Sequence, residues 1–166
     1  MSAVEGVVEK RLAELGLSIP KASAPAANYV PFTRSGNTVF ISGQIPKCED
    51  NSLLKGKLGS DGADKYSIEE GQAAARCCGV NLIAQMREAC GGNLDKVKKI
   101  LKVEAFVNST PDFTDHPKVV NGCSDLLVEV FGAEVGAHAR FAVGCSSLPL
   151  GVAVEVGATV EIADDA

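Results

Sequence analysis

Residues 139–162 read ARFAVGCSSLPLGVAVEVGATVEI, two strand-like runs on either side of a break at LPLG, residues 148–151. Side chains alternate between the two faces of a strand. One face of the first run carries small or polar side chains and one arginine: Arg140, Ala142, Gly144 and Ser146. The second run has one apolar face, and its other face carries Glu155 and Glu161. A face with one arginine, one or two carboxylates and very small neighbours is either a solvated surface or the floor of a pocket.

The composition is that of an ordinary globular domain. The chain has 166 residues, 46% of them hydrophobic and 22% charged, which predicts a single domain with a real core. The formal net charge of −5 argues against non-specific binding to nucleic acid. No apolar run approaches the length of a membrane span, and no secretory signal is recognisable, so we expect a cytoplasmic protein without a membrane partner.

The cysteines and histidines do not form a metal-binding pattern. Six cysteines are present without a CxxC spacing, and we interpret all of them as reduced thiols. His116 and His138 have no metal-type partner at a useful spacing, so no metal site is predicted.

The chain divides into an N-terminal amphipathic helix with a Pro/Ala-rich linker (1–27) and one α+β domain (28–166). A hairpin is predicted over 29–42, around the turn Ser35-Gly36-Asn37, and a loop with a short strand over 47–65. The capping box Ser67-Ile68-Glu69-Glu70 begins a long helix that ends at Gly91-Gly92. A strand over 101–108 and a second long helix, which Asp112 or Asp115 could cap and Gly132 ends, precede the two closing strands.

This order favours a mixed sheet with both long helices on one face. The other face must then be solvated or buried by another subunit. The face that bears Arg140 and Ala142 is too small and too weakly charged for open solvent, so we expect oligomerisation to cover it.

The spacing of Arg140 and Glu155 limits how they can meet. In a simple hairpin around 150–151, Ser146 would lie opposite Glu155, and Arg140 would be six residues further along, about 20 Å away at ~3.3 Å per residue. Either the last two strands are not neighbours in the sheet, or the two residues meet across a subunit boundary.

Several motifs in this order resemble a known family, the RidA or YjgF-like reactive-intermediate deaminases, also called L-PSP endoribonucleases. The matching segments are FISGQIP (40–46), Val120-Asn121, Ala139-Arg140, Leu148-Pro149 and Val154-Glu155. The resemblance implies a chorismate-mutase-like fold in a barrel-cored homotrimer with ligand sites between subunits. It also implies hydrolysis of small 2-imino and 2-enamino acids to 2-keto acids and ammonia, without a cofactor.

The same resemblance implies roles for six residues. Arg140 resembles the family's carboxylate-binding arginine, and Glu155 the acid that holds the attacking water. The remaining cleft positions correspond to Tyr29, Ser42, Asn121 and Ala142. Ala142 departs from the family, which commonly has a cysteine there, so no thiol acts at this position.

The residues are consistent with this chemistry, and two other functions stay open. The planar guanidinium of Arg140 can bind a carboxylate with two charge-assisted hydrogen bonds. An endoribonuclease is the first alternative, although the net negative charge and the 5% aromatic content do not indicate a surface that binds nucleic acid. A non-catalytic trimer that binds small carboxylates or acts as a chaperone-like holdase is the second.

Overall fold

The computed structural model describes residues 6–25 and 27–164, and a five-stranded sheet with two long helices dominates it. The helices are α1 (Val7–Glu14), α2 (Ile68–Ala89) and α3 (His116–Gly136). The strands are β1 (Phe32–Ser35), β2 (Thr38–Gln44), β3 (Lys57–Leu58), β4 (Lys65–Tyr66), β5 (Val97–Asn108), β6 (Ala139–Cys145) and β7 (Val154–Ile162). The large sheet has the order β1-β2-β7-β5-β6, and β3 pairs with β4 separately.

The two long helices form as their sequence signals predict. At the start of α2, the Ser67 hydroxyl accepts a hydrogen bond from the Glu70 amide at 3.1 Å, and the Glu70 carboxylate accepts one from the Ser67 amide at 2.7 Å. Pro117 lies in the first turn of α3. The helical conformation of α3 is interrupted at Gly132, where φ is 81°, and one more turn follows to Gly136.

Both long helices pack on one face of the sheet, as predicted. The backbones of α2 and α3 approach so closely at Gly122 that an added Cβ would overlap the Gln72 carbonyl. The sheet contributes to this core the inward side chains of β7: Val154, Val156, Ala158, Val160 and Ile162. The chain is therefore an α+β domain with one sheet face covered by helices.

The uncovered sheet face is the opposite of the one expected from the sequence. β6 runs parallel to β5 with Arg140 paired to Val103, a residue fully buried on the helix side. Arg140 therefore points towards α3, where small neighbours are needed because the helix lies close. The open face instead carries four large apolar side chains beside the Lys102–Glu104 ion pair, and their exposed fractions are 47% for Phe40, 45% for Phe106, 59% for Phe141 and 43% for Val143.

The last two strands are not neighbours, because β5 lies between them. β5 pairs in parallel with β6 and antiparallel with β7. This order confirms the first of the two arrangements that the spacing of Arg140 and Glu155 allowed.

The other structural expectations have mixed outcomes. Tyr29 precedes β1 rather than lying in it. The helical spacing of Val4, Val7, Val8, Leu12 and Leu15 in the sequence predicts one apolar stripe on the N-terminal helix. In α1, Val8 and Leu12 are buried, and Val4 is outside the described residues. All six cysteines are free thiols. No helix in the described ranges combines the length and the hydropathy needed to cross a membrane.

Candidate functional site

Arg140 is held at the edge of the sheet by neutral acceptors on α3. Its Nη1 group donates to the Asn121 side-chain oxygen at 2.9 Å and to the Ser124 hydroxyl at 3.0 Å, and Nη2 donates to the Pro117 carbonyl at 3.4 Å. Within residues 6–25 and 27–164, no carboxylate forms an ion pair with Arg140. The positive charge is thus oriented but not neutralised.

One edge of this guanidinium is suited to an anion. The two hydrogens of Nη1 are both used by Asn121 and Ser124, and one hydrogen of Nη2 is directed at the Pro117 carbonyl. The Nε hydrogen and the second Nη2 hydrogen can form the two parallel hydrogen bonds by which arginine binds a carboxylate. The structure therefore brings together two sequence-predicted residues, Arg140 and Asn121.

Ala142 lies beside this arginine, two residues along β6. It pairs with Ala105 and is partly buried against the core. A methyl group at this point leaves room beside Arg140 and supplies no reactive atom.

Glu155 belongs to a second cluster on the other face of the sheet. It pairs with Phe106 on the open face and lines a cavity of about 740 Å³ together with Tyr29 and Gly43. Gly43 lies in the irregular part of β2, and an added Cβ there would overlap the Glu155 carboxylate. Tyr29 and Glu155, two of the predicted site residues, therefore share one cavity.

The environment of Glu155 makes its carboxyl harder to ionise than that of an exposed glutamate. Burial raises the pKa of the Glu155 carboxyl above its usual value. No lysine or arginine of the described ranges forms an ion pair with it. A half-buried carboxylate with a raised pKa is a stronger base than an exposed one, which suits it to accepting and returning a proton.

Ser42 has a structural contact instead of a place in the cavity. Its hydroxyl donates to the Val30 carbonyl at 2.8 Å, and its amide donates to the Pro31 carbonyl at 3.0 Å. These bonds fasten the segment that carries Tyr29 to β2. Ser42 therefore positions one wall of the cavity.

The two clusters do not meet within one chain. Arg140 pairs with Val103 and Glu155 with Phe106, three residues apart on β5. Their strands are two sheet positions apart, so the separation is about 10 Å along the strands and about 10 Å across them. They also lie on opposite faces, so one small molecule reaches both only if a second chain contributes one of them.

Two further residues near Arg140, Ser124 and His138, were not predicted from the sequence as part of the site. Ser124 donates to or accepts from His138 Nε2 at 2.9 Å, and His138 Nδ1 donates to the Gly136 carbonyl. Both had a signal in the sequence: Ser124 follows Asn121 by three residues on one helix face, and His138 precedes Arg140 by two.

Comparison with known proteins identifies the family. A family profile described as "YjgF/chorismate_mutase-like, putative endoribonuclease" matches residues 9–161. The chain belongs to this YjgF-like family. Its fold is accordingly the YjgF/chorismate-mutase-like fold.

Three YjgF-like relatives show the range of similarity. Protein TCP17 of Trypanosoma cruzi is 48% identical over 98% of this chain and 99% of its own. A crystal structure of Atu1372 from Agrobacterium tumefaciens, described as having unknown function, is 42% identical with a TM-score of 0.83, covering 95% of this chain and 94% of that one. A 2-iminobutanoate/2-iminopropanoate deaminase of Dermatophagoides farinae is 27% identical over 88% of this chain and 94% of its own.

Proposed function

We propose that this protein is a hydrolytic deaminase of 2-imino and 2-enamino acids, acting at a site shared by two subunits of a homotrimer. The observation that carries this proposal is the Arg140 guanidinium, which neutral groups orient and no carboxylate of the described chain neutralises. Such a group is built to receive a carboxylate from outside the protomer. The deaminase name of one relative supports the same reaction.

The reaction uses the two clusters for different tasks. Arg140 of one subunit binds the substrate carboxylate and places the neighbouring C=N carbon beside Glu155 of the next. Glu155 takes a proton from water as the oxygen bonds to that carbon, and returns a proton to the nitrogen of the resulting carbinolamine. Glu155 then transfers the hydroxyl proton of the carbinolamine to the nitrogen as the C=O bond forms and the C–N bond breaks, leaving a 2-keto acid and ammonia. Its raised pKa suits Glu155 to these transfers.

The remaining predicted residues have supporting roles in this proposal. Asn121 orients Arg140 through the bond at 2.9 Å, and Tyr29 lines the cavity with a hydroxyl that can bond to the ligand or to water. Ala142 leaves space for the substrate, and Ser42 fixes the Tyr29 segment. No cofactor or metal is required for these steps.

A coupled assay tests the reaction. An amino-acid oxidase generates imines in situ, and release of 2-keto acid and ammonia is followed with and without the protein. Acceleration proportional to protein concentration is expected. Binding of 2-keto acids without acceleration would identify a non-catalytic carboxylate-binding trimer instead. Salt-sensitive cleavage of RNA by the same preparation, lost in Arg140→Ala, would identify a ribonuclease.

The open sheet face provides a prediction about assembly. Phe141→Asp places a charge among exposed apolar side chains that we expect to be buried between subunits, so the mass in solution should fall from three times 17.2 kDa to that of one chain. Light scattering coupled to gel filtration measures this change.

The control for assembly is Leu15→Asn, because Leu15 directly follows α1 and is 40% exposed. This variant should keep the trimeric mass. A wild-type protein that is monomeric and fully active would contradict the shared site.

A further inference from the structure

The cavity beside Glu155 is larger and more apolar than a small imino acid needs. Its volume is about 740 Å³, within the range of pockets that bury drug-sized ligands. The side chains that line it away from Glu155 are mostly hydrophobic, among them Pro25, Pro31, Ile45, Leu53, Pro149 and Leu150.

Buried amide side chains of α2 hold two walls of this cavity in place. Gln85, 1% exposed, donates to the Ser23 carbonyl at 2.9 Å. Asn81, 8% exposed, donates to the carbonyls of Ile45 at 2.9 Å and Lys47 at 3.1 Å. Buried polar groups that lose such partners are costly, so the cavity is pre-formed rather than a gap between mobile loops.

A third wall carries an exposed leucine on a strained backbone. Leu150 has φ of 60°, a conformation rare for a bulky residue, and its side chain is 62% exposed. Backbone bonds hold this loop, since Gly56 N–H donates to the Gly151 carbonyl at 3.2 Å and Ala153 N–H to the Leu54 carbonyl at 3.1 Å. Strain retained at a cavity rim points to a binding role for the side chain it presents.

We infer that the substrates of this site carry a large apolar side chain, branched aliphatic or aromatic, which fills the cavity and contacts Leu150. This inference rests on the proposed function, because it places the reacting carbon beside Glu155. The carboxylate lies at the mouth of the cavity, where a neighbouring chain supplies Arg140.

The test compares imines made from alanine, leucine and phenylalanine. We expect kcat/KM to be at least about tenfold higher for the leucine- and phenylalanine-derived imines than for the alanine-derived one, since removing several methylenes from an apolar pocket costs this much or more. Leu150→Asn suits the positive φ and should lower the leucine-to-alanine ratio by about tenfold.

Leu15→Asn serves as the control, because Leu15 is an exposed leucine directly after α1 and outside the cavity, and it should leave the ratio unchanged. Acceleration of all three imines with a ratio near one would overturn this inference and leave the proposed function standing. A failure to accelerate any imine would overturn both.

A chain of hydrogen bonds through Ser124 and His138 orients Arg140. The Gly136 carbonyl can only accept a hydrogen bond, so His138 Nδ1 donates to it. In the neutral ring, Nε2 then accepts from the Ser124 hydroxyl at 2.9 Å, which leaves the Ser124 oxygen to accept from Arg140 Nη1 at 3.0 Å. When His138 is neutral, Arg140, Ser124, His138 and the Gly136 carbonyl thus form one chain in which each group donates to the next, from Arg140 to Gly136.

Burial lowers the pKa of the His138 ring, although its bond to the Gly136 carbonyl acts in the opposite sense. The charges that act on the ring are both positive and come from Arg140 on β6 and Lys99 on β5. These effects keep the ring in the neutral form that the hydrogen-bond chain requires.

The geometry points to Ser124 and His138 as positioning residues that hold the Arg140 guanidinium ready for a carboxylate. Protonation of His138 would turn Nε2 into a donor and remove the acceptor of the Ser124 hydroxyl, so that the hydrogen-bond chain that orients Arg140 through Ser124 is lost. The affinity of Arg140 for a carboxylate should therefore fall as the pH is lowered and His138 becomes protonated.

Calorimetric titration with pyruvate measures this affinity without requiring catalysis. Ser124→Ala should raise the Kd for pyruvate about tenfold, and Ser124→Thr, which keeps a hydroxyl, should restore most of it. The wild-type Kd should rise as the pH falls below 6.5, the ordinary pKa of histidine, and this rise should be absent in His138→Gln.

If Ser124 and His138 had only a structural role, their substitution would lower the melting temperature and leave the pH dependence of the Kd for pyruvate unchanged. An unchanged Kd in Ser124→Ala, or the same pH dependence in wild type and His138→Gln, would overturn this second inference.

Discussion

Replacing Arg140 with alanine is expected to lower kcat/KM for imine hydrolysis by about 10²–10⁴-fold. The substitution removes two charge-assisted hydrogen bonds to the substrate carboxylate, each worth about 1.5–3 kcal/mol. Arg140→Lys keeps the charge but loses the planar fork and cannot satisfy Asn121, Ser124 and a ligand together. A loss of about 10–10²-fold is expected for the lysine variant.

The matched control is Arg76→Ala, which removes an arginine from the exposed side of α2. Arg76 forms a surface ion pair with Glu129 at 2.9 Å, and such pairs contribute about 0–1 kcal/mol. Its activity should equal that of the wild type. Steady-state assays with a melting curve for each variant make the comparison, and half of the wild-type activity in a folded Arg140→Ala protein would rule out the proposed role.

Replacing Glu155 with glutamine is expected to lower kcat by about 10²–10⁴-fold, the usual contribution of a general acid–base. The amide keeps the shape of the side chain beside Gly43 but cannot accept the proton of water. In the wild type, kcat should rise with pH through the raised pKa of Glu155, because the carboxylate is the active form at the start of the reaction.

The Glu155→Gln variant should also be more stable than the wild type at neutral pH. Because the folded pKa of Glu155 lies above the unfolded value, ionisation costs more in the folded state. The penalty is present above the folded pKa and disappears as the pH falls to the unfolded value of about 4.3. Glu155→Gln should therefore raise the melting temperature at pH 7 and not below about pH 4.

Glu161→Gln is the control for both effects, since Glu161 is exposed on the same strand and outside the cavity. It should change neither kcat nor the melting temperature. A Glu155→Gln variant with wild-type kcat would show that another group handles the proton.

The sequence was sufficient to predict the local elements of this fold. The capping box at Ser67 specifies where α2 begins, and the glycine at 132 marks the interruption of α3. Such signals are local in the chain and therefore visible in it. The motif order also identified the family and, with it, the α+β architecture.

What the sequence could not decide was which face of β6 is covered. Alternation separates Arg140 from Phe141 but does not say which of them faces the helices. An apolar face normally points inwards, and here it is exposed because the sheet has one open side. The parallel pairing of β6 with β5 settles the question, and pairing is a property of the whole fold.

The residues that hold the walls of the cavity could also not be predicted from the sequence. Asn81 and Gln85 are two polar residues in a long helix, and nothing in their spacing indicates that their amides hold Ile45 and Ser23. Ser124 and His138 were closer to being predictable, since both share a face with a residue already singled out.

Subunit complementation tests the central claim, that one chain supplies Arg140 and another Glu155, most directly. Arg140→Ala and Glu155→Gln proteins are unfolded together in equal amounts and refolded, so that mixed trimers form. Every mixed trimer in a closed ring of three then contains one interface with an intact Arg140 and an intact Glu155.

Random assembly predicts recovery of about a quarter of the wild-type activity from two inactive parents, counting one intact interface in each mixed trimer. Refolding each variant alone gives the background. A mixture that forms mixed trimers and stays as inactive as its parents would contradict a site shared between chains.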